Sequence, residues 1–288
     1  MRMALGTTGL GAKAPTAKAP AGKSAGAKAQ GSWGARIRER ILHGHGHGSV
    51  DITPPPVAEM PSLDHPAAVA PPEAASPDPF LEIAAFLLRL RRMGVTDRRL
   101  SAALEAAPRT VFIPADYPPF SDRGLPIDCG QVSTPPIVVA RILAALAPQP
   151  TDRVLEIGTG TGYMTAVLAR LCHRVYTVDR FRTLVLAAQS RLAGLGIENV
   201  TAVFGDGFGG WPDKAPFDRI VSSGSAEGVP AVLAEQLRPG GVLVMPVGPA
   251  EGPQMLMRVE RTAEGSLDAT PIAPVRAIPL IPGKAARL

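Results

Sequence analysis

The chain is poor in cysteine and in aromatic residues, with two Cys, three Tyr, two Trp and eight Phe among 288 residues. Two thiols, Cys129 and Cys172, are too few to staple a chain of this length, so a disulfide scaffold is excluded and a cytoplasmic protein with reduced thiols is expected. Cys129 has no His or second Cys nearby and reads as a packing thiol. Long apolar runs are also missing. None approaches the ~18–20 residues needed to span a bilayer, so no membrane segment is expected. Gly, Thr and Lys interrupt the first residues too early for the apolar core of a secretory signal. Histidine is scarce. The alternating run His43-Gly44-His45-Gly46-His47 has no Cys or carboxylate beside it to complete a ligand set, so no metal site is expected. His173, at a helix–strand junction, reads as a charge at a helix C-terminus.

What is present divides unevenly. Residues 1–48 carry eight Lys/Arg against Glu39, a charge of +7, so the other 240 residues sum to 5 − 7 = −2. The basic pI of about 9.6 therefore belongs to the N-terminal segment, and specific nucleic-acid binding by the folded body is not expected. That segment repeats Ala-Lys-Ala-Pro at 12–15 and 17–20 and has few large apolar side chains to offset the entropy of ordering. Ile37–Leu42 could form one or two helical turns. Pro54-Pro55-Pro56, Pro71-Pro72 and Pro77-Asp78-Pro79 mark an extended linker. Residues 1–79 are thus expected to be a disordered basic and Pro-rich tail and linker, and residues 80–288 one folded, monomeric domain.

From Phe80 the pattern is regular. Leu81, Ala84, Ala85, Leu88 and Met93 give an amphipathic helix over 80–92, which Gly94 stops. A second helix, capped by Thr96 or Asp97, runs past Leu100 and Leu104 to Ala107. Beyond Arg153 strands and helices alternate. Strands are predicted at Val154–Ile157, Val175–Val178, Val200–Phe204, Arg219–Ser222 and Val242–Val247, and helices near Tyr163–Leu171, Leu184–Leu195 and Ala231–Leu237. That succession implies an α/β fold, a doubly wound, mostly parallel Rossmann-like sheet that binds ligands at the carboxyl ends of its strands.

The distinctive motif lies at such an end. Glu156-Ile157-Gly158-Thr159-Gly160-Thr161-Gly162-Tyr163 follows an apolar strand and opens a helix, with glycines that allow a tight turn and a close ligand. A dinucleotide fingerprint places glycine at the first, third and sixth positions; here the third glycine is at the fifth position and Tyr163 holds the sixth. An acid before the loop would repel a pyrophosphate, whereas Glu156 can pair with an ammonium. S-adenosylmethionine offers an α-ammonium, a carboxylate and no phosphate. Asp179 closes the second strand, 21 residues past Gly158 (179 − 158), near the ~20 expected of a ribose-binding acid. Asp206, followed by Gly207, closes the third strand and could accept a hydrogen bond from an adenine amino group. Glu156, Gly158, Thr159, Gly160, Gly162, Asp179, Asp206 and Gly207 are the expected S-adenosyl-L-methionine residues.

Further segments narrow the family. Asp122-Arg123-Gly124-Leu125-Pro126-Ile127-Asp128-Cys129-Gly130-Gln131 with Pro136-Ile137-Val138-Val139-Ala140-Arg141 resembles the substrate loop of protein-L-isoaspartate O-methyltransferases, within the class I methyltransferases. Gly205–Trp211, Ala215–Asp218, Leu237–Gly241 and Pro246–Gly248 match as well, and Pro274-Val275-Arg276 resembles the family's closing strand. The resemblance runs from about Phe80 to Pro282. It implies methyl transfer to the side-chain carboxylate of L-isoaspartyl residues in damaged proteins or peptides, a repair reaction. The family's substrate-loop hydroxyl falls on Thr134 when Ile127 and Pro136 are kept in register, and on Ser133 with a one-residue slip; the same hydroxyls could instead cap the helix that follows. Where the family carries Thr-Ala-Ala and a short acidic-Ile-Pro segment after the fourth strand, this chain reads Ser222-Ser223-Gly224-Ser225-Ala226-Glu227-Gly228-Val229-Pro230, and Gly224 and Gly228 are expected to loosen a loop beside the acceptor pocket. Two other readings compete: a related methyltransferase with another acceptor, and a non-catalytic S-adenosylmethionine-binding protein that holds an anionic partner through its basic tail.

Overall fold

The computed structural model describes residues 49–50 and 78–285. The expected tail disorder, the turns at Ile37–Leu42, the histidine run and the proline linker through residue 77 lie outside the described residues, apart from a short strand β1 (Ser49–Val50).

Two helices lead in. α1 (Pro79–Arg92) is capped by Asp78, whose carboxylate accepts from the Phe80 amide at 2.9 Å. α2 (Arg98–Ala106) is capped by Asp97, which accepts from both Arg99 and Leu100 amides; of the two expected caps, the carboxylate does the work. A hairpin follows, β2 (Leu125–Ile127) and β3 (Gln131–Ser133), antiparallel across a one-turn 3₁₀ helix at Asp128–Gly130. α3 (Pro136–Leu146) then leads into the sheet. β4 (Arg153–Ile157), α4 (Tyr163–Ala169), β5 (Arg174–Asp179), α5 (Arg182–Gly194) and β6 (Val200–Phe204) alternate as the sequence predicts. β7 (Phe217–Ser222), β8 (Val229–Pro230, paired with β1), α6 (Ala231–Glu235), β9 (Leu237–Val247), β10 (Gln254–Arg261) and β11 (Leu267–Val275) complete the chain.

Seven strands form one sheet in the order β11-β10-β9-β7-β4-β5-β6. Pairings from β9 through β7, β4 and β5 to β6 are parallel, while β10 and β11 are antiparallel. Strand alternation fills both faces. Val154, Val175, Val242 and Val244 pack with α1 to α4, whereas Leu155, Ile157, Val178, Leu243, Met245 and Val247 pack on the other side with Leu233 of α6. The chain leaves β4 toward β5 and β6, then crosses to place β7 on the opposite side of β4. Ligands of such sheets bind at a reversal of this kind, above the carboxyl ends of β4 and β7.

Candidate functional site

The loop after β4 has the backbone its glycines were expected to permit. Gly158, Gly160 and Gly162 have φ of 88°, 53° and 90°, a region closed to most side chains. The Gly158 amide donates to the Val178 carbonyl at 2.8 Å, and the Thr159 hydroxyl bonds the Thr177 hydroxyl at 2.7 Å, so the loop is bound to β5. Asp179 adds a third tie: Oδ2 accepts from the Gly160 amide at 2.8 Å and Oδ1 from the Phe181 amide at 2.9 Å. Each carboxylate oxygen can accept a further bond, which suits a ribose hydroxyl. Burial holds the Asp179 carboxyl above its usual range, opposed by those amides.

Glu156 lies deeper than the sequence suggested. It is wholly buried, and its Oε2 accepts from the Thr165 hydroxyl of α4 at 2.5 Å, while Oε1 has no hydrogen-bond partner among the described residues. Burial pushes its carboxyl up to about 8. A buried carboxylate oxygen without a donor is costly, and an ammonium is the kind of group that would satisfy it. At the third strand end, Oδ1 of Asp206 accepts from the Phe208 amide at 2.9 Å. A Cβ on Gly207 would lie 2.6 Å from Cγ2 of Ile157, so only glycine fits there. Gln236, buried just before β9, fastens this loop by donating to the Gly209 carbonyl and accepting from the Trp211 amide. The donor set of two acids with remaining acceptor capacity, one orphaned carboxylate oxygen and a glycine turn therefore fits an S-adenosylmethionine-like nucleoside with an ammonium.

The β2–β3 hairpin comes to the same place. At its turn, Cys129 adopts φ 65° and its thiol meets the Leu184 amide within electrostatic reach of Asp179; burial first, then Asp128 and Asp179, hold that thiol above its ordinary range. The hydroxyls of Ser133 and Thr134 separate clearly. Ser133 is buried and accepts from the Leu125 amide across the hairpin at 3.2 Å. Thr134 is half-buried, and its hydroxyl makes no hydrogen bond among the described residues. Neither caps α3, whose start has no side-chain cap.

Sequence reasoning missed Arg109. Its Nε donates to the Pro119 carbonyl at 2.7 Å, its Nη2 to the Thr134 carbonyl at 2.9 Å, and its guanidinium lies 4.5 Å from the ring centre of Tyr163. The partners are carbonyls and a ring, none of which leaves a charge pattern in sequence. The loop after β7 also differs from expectation. It is held, not loosened: the Ser222 hydroxyl donates to the Gly224 carbonyl and accepts from its amide, and Ser225 exchanges backbone bonds with Ile278 and Leu280. Gly224 is glycine because a Cβ would meet Leu280 at 2.5 Å. From Ser225 the segment after β11 continues to Ala285, whose amide donates to the Arg180 carbonyl, with Lys284 5.2 Å from the Phe204 ring centre. It thus bridges the carboxyl ends of β7 and β5, with β4 and its glycine loop between them in the sheet.

Among the described residues no group of three or more His, Cys, Asp or Glu could hold a metal, and no helix is long and apolar enough to cross a membrane.

Residues 82–285 match the protein family described as protein-L-isoaspartate(D-aspartate) O-methyltransferase. The chain is 46% identical over 203 residues to the protein-L-isoaspartate O-methyltransferase of Parvibaculum lavamentivorans, covering 69% of this chain and 91% of that one. It is 45% identical over 211 residues to the enzyme of that name from Ruegeria pomeroyi, covering 73% and 97%. A solved protein-L-isoaspartate O-methyltransferase, 28% identical, superposes with a TM-score of 0.62 over 68% of this chain and 65% of that one. A Plasmodium falciparum protein described by the same activity and bound to S-adenosyl-L-homocysteine shares the fold at 21% identity, with a TM-score of 0.59 over 68% and 97%. The chain accordingly belongs to the protein-L-isoaspartate O-methyltransferase family.

Proposed function

We infer that this chain transfers a methyl group from S-adenosyl-L-methionine to the side-chain carboxylate of L-isoaspartyl residues in proteins or peptides, the first step of their repair. The carrying observation is the Thr134 hydroxyl, half-buried and without a hydrogen bond among the described residues, on a hairpin whose turn lies within electrostatic reach of the ribose-side acid Asp179. Glu156 would hold the ammonium of the donor, Asp179 its ribose, Asp206 its adenine, and Gly158, Thr159, Gly160, Gly162 and Gly207 would shape the cradle. When bound, the donor supplies a methyl group on a sulfonium that departs as a neutral thioether. The acceptor carboxylate, with a pKa near 4, is already ionised at neutral pH, so the chain need provide no general base. Its own work is to orient the carboxylate through the Thr134 hydroxyl and to exclude water. Positioning of this kind can contribute ~7–11 kcal/mol. Ser133, engaged in the hairpin, supports the loop instead of touching the acceptor.

We place the reaction in the cytoplasm, on a monomer, within residues 80–288, with residues 1–79 as a tail that takes no part in it. The test is incubation of the full chain with labelled donor and matched isoaspartyl and aspartyl peptides. A base-labile methyl ester is expected on the isoaspartyl peptide alone; no ester on that peptide overturns the reading.

A further inference from the structure

Arg109 is 2% exposed, and no carboxylate pairs with it among the described residues. An unpaired buried cation is a costly element, because desolvation is not returned by an opposite charge. Its bonds show what it holds. The Pro119 carbonyl stands where the chain leaves for the hairpin, and the Thr134 carbonyl where it returns. Residues 120–133 form the excursion between them. One planar guanidinium therefore closes the base of the whole acceptor loop, and its face rests on Tyr163, the residue that begins α4 directly after the glycine loop. Tyr163 is itself buried against Phe112, with ring centres 5.8 Å apart, so this platform is rigid.

We propose that Arg109 is a positioning residue for methyl transfer, a clasp that fixes the acceptor hairpin and its Thr134 hydroxyl in register with the donor loop. The geometry depends on the fork. Nε and Nη2 reach two separate carbonyls while the central carbon lies over a ring, an arrangement open to guanidinium. A lysine keeps the charge and can lie over Tyr163, but its donors radiate from one atom. Arg109 touches neither the donor-binding acids nor the acceptor; it acts through the Thr134 backbone.

The assignment rests on the methyltransferase reading above, and Arg109→Lys in the full chain tests the two separately. Three quantities are compared with wild type: kcat and KM for an isoaspartyl peptide, affinity for S-adenosylhomocysteine, and hydrogen exchange of backbone amides. The clasp predicts a ~10–100-fold loss in kcat/KM, the scale of a misplacement of about 1 Å. It also predicts faster exchange confined to residues 120–134, with inhibitor affinity within ~3-fold and exchange in β4, β5 and β7 unchanged. Unaltered hairpin exchange, unaltered kcat/KM, or losses spread equally through the sheet and the donor site would each overturn it. If wild type forms no ester on the peptide, the functional reading fails, and the exchange and affinity measurements still decide whether Arg109 clasps the loop.

Discussion

At the level of single residues, Glu156, Thr134 and Ser133 each make a separable prediction. With its carboxyl pushed up to about 8 by burial, Glu156 holds a proton over much of the neutral range, and the proposed pairing with the donor ammonium predicts that binding releases it. Apparent affinity for S-adenosylhomocysteine should then rise by up to ~tenfold per pH unit between pH 6 and 8 and level off above, with Glu156→Gln flat across this range and ~10–100-fold weaker at pH 8. Calorimetric titration across the series checks this, and a pH-independent wild type would refute the pairing. Folding of the ligand-free protein has the opposite slope. A carboxyl whose folded pKa lies above its unfolded value contributes stability at low pH that is lost as pH rises toward 8. Thr134→Ala should cost tenfold or more in kcat/KM with an unchanged melting temperature, while Thr134→Ser restores activity. Ser133→Ala should instead lower stability by ~1 kcal/mol through the lost bond to Leu125; if the two alanine variants exchanged phenotypes, the register of the loop would be wrong. In the sequence, spacing points to Glu156, while the family resemblance points to Thr134 in register and to Ser133 with a one-residue slip. Their difference is the direction of one side chain across a hairpin, which depends on β2–β3 register.

Elements with a strong local signal were legible, and those defined by distant partners were not. The extent of α1, the Asp97 cap and the β4–α4–β5–α5–β6 alternation fall where periodicity puts them, with ends shifted by a few residues where helices terminate. The apolar stripe read on α1 does not: Leu81, Ala84, Ala85, Leu88 and Met93 are exposed, and the helix packs through Phe86 and Leu90, because its run of apolar residues offers more than one face. β9 begins at Leu237, five residues before the expected Val242, since Arg238-Pro239-Gly240-Gly241 has the composition of a turn. β10 was not foreseen, because Gln254-Met255-Leu256-Met257-Arg258-Val259 follows the glycines and prolines of a loop. The loop after β7 shows the limit of reading glycine as freedom. Gly224 answers to the packing of Leu280, more than fifty residues away, so its role is one of space. Arg109 escaped for a related reason: its partners are backbone carbonyls at 119 and 134, and a carbonyl has no letter in a sequence.

For the whole molecule, apart from the two-residue strand β1 at Ser49–Val50, the described fold starts with the Asp78 cap of α1, and the family match starts at residue 82. Deleting residues 1–77, which spares that cap, should leave kcat/KM for an isoaspartyl peptide within a factor of about two. A loss beyond tenfold would show that the basic segment contributes to the reaction. The net charge of the remainder, close to neutral by composition, also predicts little salt dependence of turnover on a neutral peptide. The bridge from Ser225 to Arg180 has a consequence during synthesis. A polypeptide growing from the ribosome completes the glycine loop, its acids and the clasp while residues 276–285 are still untranslated. The rim joining β7 to β5 is thus made by residues translated after those of the glycine loop, its acids and Arg109, and a chain cut short after β11 lacks it.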